Sequence, residues 1–296
     1  MNNNSHNKEL LQSFLNYLEF EKRSSKHTVS SYKTDLLQFL TSISTIKIEE
    51  ISDKSIRLWI AELSEDKISP KSINRKITAI HSFYNFLQKI NIVIENPAQK
   101  IRALKTKKRL PTFVEQKNIN NLLDNIEFEN NFVGLRDRFI IVLLYTTGIR
   151  RAELINLSLQ SFDFSNTTIK VLGKRNKERL VPIVAECTEL AKRYILERNK
   201  ITQSHNYLII TESGAKAYDN LIYRIVKKYI SQVSTIEKKS PHVLRHSFAT
   251  HLLNNGADLN DIKELLGHSN LSATQIYTHN SFEKLKDIYK QSHPRN

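Results

Sequence analysis

Cysteine, methionine and tryptophan occur once each in this sequence, and glycine and proline occur six times each among 296 residues. The single thiol, Cys187, excludes an internal disulfide and fits a reducing cytoplasm. No apolar run approaches the ~20 residues that a membrane-spanning helix needs, and the polar start MNNNSHNKEL lacks a signal-peptide pattern. The scarcity of glycine and proline also argues against long flexible tracts. We therefore expect a globular cytoplasmic protein.

Positive charge, in contrast, is abundant. Lysine and arginine number 45 against 30 acidic residues, which gives a formal net charge of +15 and an isoelectric point near 9.7. Such an excess concentrates polyanions near the surface and favours nucleic acid or an anionic membrane face. A basic protein without such a partner stays open on charge alone. Because no membrane segment is present, we expect a nucleoid-associated protein.

Apolar residues in the first third of the chain recur at spacings of three and four, the pattern of amphipathic helices. The clearest start is Ser69 as N-cap followed by Pro70, and Thr28 is the expected cap of an earlier helix. We predict a four-helix DNA-binding domain over residues 1–99. The polar face of its fourth helix offers candidate DNA contacts at Lys71, Ser72, Asn74, Arg75 and Lys76.

A basic segment over residues 100–112 follows, with six basic residues in the ten of KIRALKTKKR. We interpret it as an interdomain linker whose charges cross DNA phosphates, although a solvated run of charge is an equal alternative. Its candidate DNA contacts are Lys105, Lys107, Lys108 and Arg109.

Residues 113–296 are predicted to form a second, mixed domain. The runs Thr167–Leu172 and Arg179–Ile183 flank a polar loop, which indicates a β-hairpin with Lys174 near its tip. Tyr207–Ile210 is a further short strand candidate. Most other apolar stretches have helical spacing, so the predicted fold class is mainly α with a small β-sheet (α+β). The predicted helices are 118–126, 135–145, 219–231, 242–254, 260–266 and 272–277.

Three motifs in this domain carry side chains suited to phosphate chemistry. In SPHVLR, Ser then Pro starts a helix, so His242 and Arg245 lie three apart on one face near its N-terminus, where an anion is favoured. In TTGIRRAEL, a buried helix breaks at a glycine and presents Arg150 rigidly, with Glu153 placed to orient it. Taken singly, each has an ordinary alternative: a solvated His and Arg, or a surface Arg–Glu pair.

The third motif is LLGHSNLSATQIYTH. Two leucines bury a short helix, a glycine ends it, and His268 is left at the end. A second short helix then delivers Tyr277. A tyrosine among apolar neighbours is usually a core residue, so Tyr277 alone predicts nothing catalytic.

Together, TGIRRAEL, GKRNKER, HVLRHSFATHLL, LLGHSNLSATQIYTH and the terminal HPR resemble the tyrosine recombinase (phage integrase) family, most closely its cellular Xer group. The resemblance covers the C-terminal two-thirds of the chain in motif detail. The N-terminal helical pattern is similar to that family's core-binding, SAM-like domain. Five motifs in the family's order are far more specific than any one of them.

The resemblance implies a role for each motif residue. Arg150 and Arg245 would grip the scissile phosphate, and Tyr277 would attack phosphorus and hold the 3′ end as a phosphotyrosine. Lys174 would protonate the leaving 5′ oxygen, and His242 would act as its acid–base partner around the phosphate. The remaining implied roles are a hydrogen bond from His268 and support of the first arginine by Glu153.

One position departs from the family's pattern. The hairpin lysine is commonly followed by glycine, whereas this chain has Arg175, a further candidate DNA contact. The change adds a cation at the loop tip and leaves Lys177 as a second candidate for the general acid.

The chemistry implied needs no cofactor. Two guanidiniums can stabilise the charge that builds on the phosphate oxygens without a metal, and a covalent ester conserves bond energy without ATP. The sequence has no P-loop glycine pattern and no acidic cluster ready to hold two Mg²⁺ ions. We therefore expect a metal- and ATP-independent DNA strand-exchange enzyme.

The resemblance also implies partners. These are double-stranded DNA with paired inverted half-sites and a homo- or hetero-tetramer on synapsed DNA, with a second recombinase or a septum-located DNA translocase as further candidates. The amphipathic segment 281–291 would dock into a neighbouring protomer as an exchange helix, although it could instead fold back on its own domain.

The favoured role is resolution of chromosome dimers. The alternatives are an integrase or invertase of a mobile element, a type IB topoisomerase, and a non-catalytic DNA-binding protein. A phosphatase using His242 is a poorer reading.

Overall fold

The computed structural model describes residues 3–106, 112–173, 177–201, 205–267 and 279–295. The chain divides into two compact units, which meet in the sequence between Arg109 and Leu110. The described part is mostly helical with one small antiparallel sheet, which confirms the predicted fold class. No helix in these ranges is long and apolar enough to cross a membrane.

The N-terminal unit is built from four α-helices around one apolar core. They are α1 (Asn3–Asn16), α2 (Lys26–Ser42), α3 (Asp53–Glu65) and α4 (Pro70–Lys89). Ser69 caps α4 as predicted, accepting a hydrogen bond from Ser72 N. The cap of α2 is Ser25 and not Thr28, because Ser25 accepts from the backbone N–H of Thr28, which lies one turn inside the helix.

Two of the predicted DNA contacts on α4 serve the fold instead. The Lys76 ammonium is buried and donates to Asp35 Oδ1 at 2.9 Å, so this prediction is wrong: no buried ammonium can reach a phosphate. The Asn74 amide is committed to the backbone of Leu104, with bonds of 2.9 and 2.7 Å. Lys71 and Arg75, in contrast, are exposed.

The C-terminal unit contains eight α-helices and three strands in its described part. The helices are α5 (Gln116–Asp124), α6 (Phe132–Thr147), α7 (Arg151–Ile155), α8 (Ala185–Ile201), α9 (Asp219–Val233), α10 (Pro241–Asn254), α11 (Leu259–Leu266) and α12 (His279–Ser292). The strands are β1 (Phe162–Asp163), β2 (Thr168–Leu172) and β3 (Glu178–Pro182), in the order β1-β2-β3. Helix α8 was not predicted, and the predicted helix 272–277 lies outside the described residues.

The predicted hairpin is formed by β2 and β3, which pair with Val171 opposite Arg179. Tyr207 and Ile210 make isolated bridges to Ser158 and Lys216, so the predicted third strand is wrong; the sheet takes β1 instead.

Helix α6 is the centre of the C-terminal core. It is buried on every side from Phe139 to Thr147, as expected for a helix that is apolar all round. It ends at Gly148, whose φ of 60° is left-handed, and a Cβ there would lie 2.4 Å from the Phe248 ring. Only glycine therefore fits where the chain leaves α6 for Arg150.

Helix α12 packs on its own unit in this single chain. Leu285 and Tyr289 are buried in the same core as α6, and the Tyr289 hydroxyl donates to Thr146 O at 2.8 Å. This is the second of the two arrangements that the sequence left open. Docking into a neighbouring protomer concerns the assembled tetramer and stays a prediction.

Candidate active site

Arg150 is presented at the start of α7, directly after the α6–Gly148 break. Its backbone N–H and its guanidinium both donate to Glu153, at 2.8 and 2.7 Å, so the acid holds the arginine at two points. A third bond joins Arg150 Nη2 to Gly267 O at 3.1 Å. The side chain remains partly exposed, which leaves its outer edge accessible to a ligand.

Arg245 lies on the inward side of α10. Its guanidinium donates to Gly148 O at 2.6 Å and to Leu266 O at 2.7 Å. Burial, together with the positive charge of the nearby Arg150, lowers the pKa of Arg245 to about 10. Arg245 stays charged at neutral pH, and the positive charge of Arg150 beside it favours the approach of an anion.

His242 lies one turn before Arg245 on α10, and its side chain is exposed. Its pKa is lowered by partial loss of solvation and then by the positive charges of Arg151, Arg245 and Arg150. The imidazole is therefore neutral at pH 7, the state in which it can accept a proton. A phosphate placed among these arginines would add negative charge and raise that pKa again.

Glu153 is the one carboxylate in the described part of this cluster. Burial alone would raise its pKa, but hydrogen bonds and charge from Arg179, with smaller effects from Arg150, hold the pKa below its ordinary value. The ionised Glu153 orients the guanidiniums of Arg150 and Arg179, but its single negative charge does not neutralise the positive charge of the whole cluster. Arg150, Arg179 and Arg245 together with Glu153 leave a formal surplus of two positive charges, suited to a phosphodiester that gains charge on attack.

Sequence reasoning missed Arg179. This side chain is buried and binds Glu153 through two terminal nitrogens, at 3.1 and 2.8 Å. The strand pattern held a signal for this residue. Arg179 and Val181 are two residues apart in β3 and therefore lie on the same face, which is buried. A charged residue on the apolar face of a strand requires a partner of opposite charge.

The structure thus brings four of the predicted site residues together: Arg150, Glu153, His242 and Arg245. Lys174, Arg175, His268 and Tyr277 lie outside the described residues, as do the linker candidates Lys107, Lys108 and Arg109. Two residues that precede these gaps, Gly173 before Lys174 and Gly267 before His268, are described and lie at the cluster. A Cβ on Gly173 would be 3.8 Å from Glu153 Oε1, and Gly267, which precedes His268, accepts from Arg150.

Two family models match this chain. The Phage integrase family model covers residues 112–284, and the Phage integrase N-terminal SAM-like domain model covers residues 11–90. The chain therefore belongs to the phage integrase family of tyrosine recombinases, in its Xer group. The first model spans the whole arginine cluster, so the residues gathered around Glu153 lie within the family's catalytic domain.

Relatives of similar length carry recombinase names. The Tyrosine recombinase XerC of Listeria innocua serovar 6a is 37% identical over 294 residues, which is 97% of this chain and 98% of the relative. The Tyrosine recombinase XerC of Oceanobacillus iheyensis is 38% identical over 293 residues, 96% of each chain. These matches favour none of the alternative functions.

Among solved structures, the XerH site-specific recombinase bound to a palindromic difH substrate, in a post-cleavage complex, is similar to this chain. The identity is 25% and the TM-score 0.72, with 90% of this chain and 80% of that chain covered. An integrase of the Tn1549 transposon is 20% identical with a TM-score of 0.69 over 93% of this chain and 98% of that chain, which shows a shared fold.

Proposed function

We propose that this Xer-group recombinase cuts and rejoins duplex DNA through a covalent 3′-phosphotyrosine on Tyr277. The observation that carries the proposal is the convergence of Arg150, Arg245 and neutral His242 directly before the segment that holds His268 and Tyr277. Two guanidiniums held at fixed positions favour the charge that develops on the phosphate oxygens.

The other roles follow from the chemistry of transesterification. Tyr277 has an ordinary pKa of ~10, so the adjacent cations must favour its phenolate. The phenolate oxygen forms a bond to phosphorus as the bond to the 5′ oxygen breaks, and Lys174 gives that oxygen a proton. His242 exchanges protons around the phosphate, and His268 donates a hydrogen bond to it.

Strand exchange is proposed to need neither a metal ion nor ATP. The arginines supply the positive charge, and the phosphotyrosine keeps the energy of the broken diester for religation. Cleavage should therefore be unchanged by EDTA and by the omission of nucleotide.

We propose cytoplasmic action at paired inverted half-sites by a homo- or hetero-tetramer, in resolution of chromosome dimers. A second recombinase or a DNA translocase at the septum would be the regulatory partner. Exposed cations of the N-terminal unit, Lys71, Arg75 and Lys105, would contact the DNA backbone, and binding should weaken steeply with salt.

The deciding experiment traps the covalent complex. DNA recovered from protein-linked complexes in the source cells is sequenced, and the recovered site is rebuilt as a nicked suicide duplex. The wild type should form an adduct stable in denaturing gel, with the phosphate mapped to Tyr277. Tyr277→Phe should bind the same duplex and form none. A wild type that binds the site without any adduct would leave only a DNA-binding protein.

A further inference from the structure

The C-terminus of α11 is held by three arginines from three different elements. Three consecutive carbonyls at this helix end each accept one guanidinium hydrogen bond, a favourable arrangement because the helix dipole is negative there. The pairs are Arg179 with Leu265 at 3.1 Å, Arg245 with Leu266 at 2.7 Å, and Arg150 with Gly267 at 3.1 Å.

Arg179 differs from the other two in how it is used. All three of its guanidinium nitrogens donate to protein: Nε to Leu265 O, and Nη1 and Nη2 to the two oxygens of Glu153. Its side chain is only 6% exposed, against 26% for Arg150. Arg179 is therefore engaged within the protein, whereas Arg150 presents an open edge.

The guanidinium also lies directly beneath two backbone turns. A Cβ on Gly267 would lie 3.1 Å from Arg179 Nη1 and 3.2 Å from its Cζ, and Gly267 has a left-handed φ of +64°. A Cβ on Gly173 would lie 3.6 Å from the same Nη1. Arg179 thus occupies the space next to Gly173 and Gly267, the last described residues before Lys174 and His268.

We propose that Arg179 is a positioning residue for strand cleavage, which locks Glu153, the end of α11 and the entry to the hairpin loop into one rigid unit. When a phosphate draws on Arg150 and Arg245, the Arg179 bonds keep the helix end and the carboxylate in place. Gly173 and Gly267, which precede Lys174 and His268 in the sequence, are held in place as a result. This inference rests on the proposed function.

The expected effect on the chemical step is large. A displacement of ~1 Å at a catalytic group can cost about 10²-fold in rate. We therefore expect Arg179→Met to slow single-turnover cleavage of the suicide duplex by about 10²-fold, with DNA affinity unchanged. Arg179→Lys keeps the charge but lacks the fork, and it should recover part of the rate.

A pH profile separates positioning from general stability. Without Arg179, the interactions that contribute most to lowering the pKa of the Glu153 carboxyl are lost while burial still raises it, so the acid takes up its proton at a higher pH than in the wild type and loses its grip on Arg150. Arg179→Met should therefore lose cleavage activity at a higher pH than the wild type. Adding Glu153→Gln to Arg179→Met should remove this shift, because residue 153 then has no titrating carboxyl.

The matched control is Arg198→Met, which removes another buried arginine of the same unit, bonded to Tyr207 O at 3.2 and 2.9 Å. This variant should cleave at the wild-type rate with the wild-type pH profile. If Arg179→Met matches Arg198→Met in rate and profile while the wild type forms the adduct, the inference is overturned and the proposed function stands. Should Arg179→Met not fold, Arg179→Lys decides, and a wild-type cleavage rate for it also overturns the inference. A wild type without adduct overturns the proposed function.

Discussion

Each unit of this molecule contains a buried carboxylate that lies between two cations, and the two clusters differ in the positive charge that remains unpaired. In the N-terminal unit Asp35 of α2 accepts from Arg75 and Lys76, consecutive residues of α4. In the C-terminal unit Glu153 of α7 accepts from Arg150 and Arg179. Both acids are almost fully buried, so both must be paired.

The difference is a third guanidinium. Arg245 lies against the Glu153 cluster, where burial and then the positive charge of Arg150 lower its pKa, and its own hydrogen bonds go to carbonyl oxygens. The Asp35 cluster joins α2 and α4, and its Lys76 ammonium donates hydrogen bonds to Asp35 and Gln38 within the unit. Paired charge stabilises a fold, whereas surplus charge held by carbonyls is a site for an anion.

The largest effect on the cleavage rate is expected when the unpaired cation, Arg245, is removed. Loss of one preorganised donor typically costs about 10²–10³-fold in rate, so Arg245→Gln should slow single-turnover cleavage at least that much. Lys76→Met removes the buried cation of the other cluster and should leave the rate of folded protein unchanged. Equal losses in the two variants would show that both clusters act only through stability.

Removing the N-terminal acid should affect stability and leave chemistry intact. Breaking a buried pair leaves charge uncompensated and costs roughly 3 kcal/mol, which is the loss expected for Asp35→Asn. The chain's one tryptophan, Trp59, is buried in this unit, so its fluorescence during urea unfolding reports on the unit directly. A loss below ~1 kcal/mol would place Asp35 with ordinary surface pairs.

Sequence patterns predicted local structure well where a local cause exists. Ser69 and Pro70 start α4 because capping is decided within one turn. The same reasoning failed for α8, whose buried face includes Thr188 and Arg198 beside apolar residues, so no clean stripe is visible.

The site was predicted in part for the same reason. Arg150 and Glu153 are three residues apart, and His242 and Arg245 are likewise three apart, so helical spacing brings each pair together. Arg179, in contrast, donates hydrogen bonds to Glu153, 26 residues away in the sequence, and to Leu265, 86 residues away. Alternation along β3 indicates that Arg179 needs an acidic partner, but only the tertiary packing determines that the partner is Glu153 and that Leu265 accepts the third bond.

His293 is a buried base whose hydrogen-bond partners include no acid, so burial favours its uncharged form. His293 Nδ1 accepts from Arg295 N, so Nε2 carries the hydrogen that donates to Thr146 O. Burial lowers the pKa of His293 to about 3. Between pH 6.5 and that value the unfolded chain binds the extra proton, so stability falls as pH falls, by at most ~1.4 kcal/mol per pH unit.

Thermal melts at pH 7 and 5.5 should show this loss in the wild type. His293→Gln, which cannot take up the proton, should show a smaller difference between the two pH values. An unchanged difference would assign the effect to the other histidines of lowered pKa, His242 and His251.

The smallest effect is expected where an acid and a cation meet in water. Lys170 of β2 and Glu178 of β3 are diagonal neighbours in the hairpin, and their charged groups lie 2.7 Å apart. This contact is shorter than several bonds of the Glu153 cluster, but both side chains are more than half exposed. Solvent screens such a pair, and Glu178→Gln should change the free energy of unfolding by no more than ~0.5 kcal/mol. Its cleavage rate should equal that of the wild type, although residue 178 adjoins Arg179 in the strand. If Glu178→Gln costs as much as Asp35→Asn, then pairing distance and not burial sets the strength of these ion pairs.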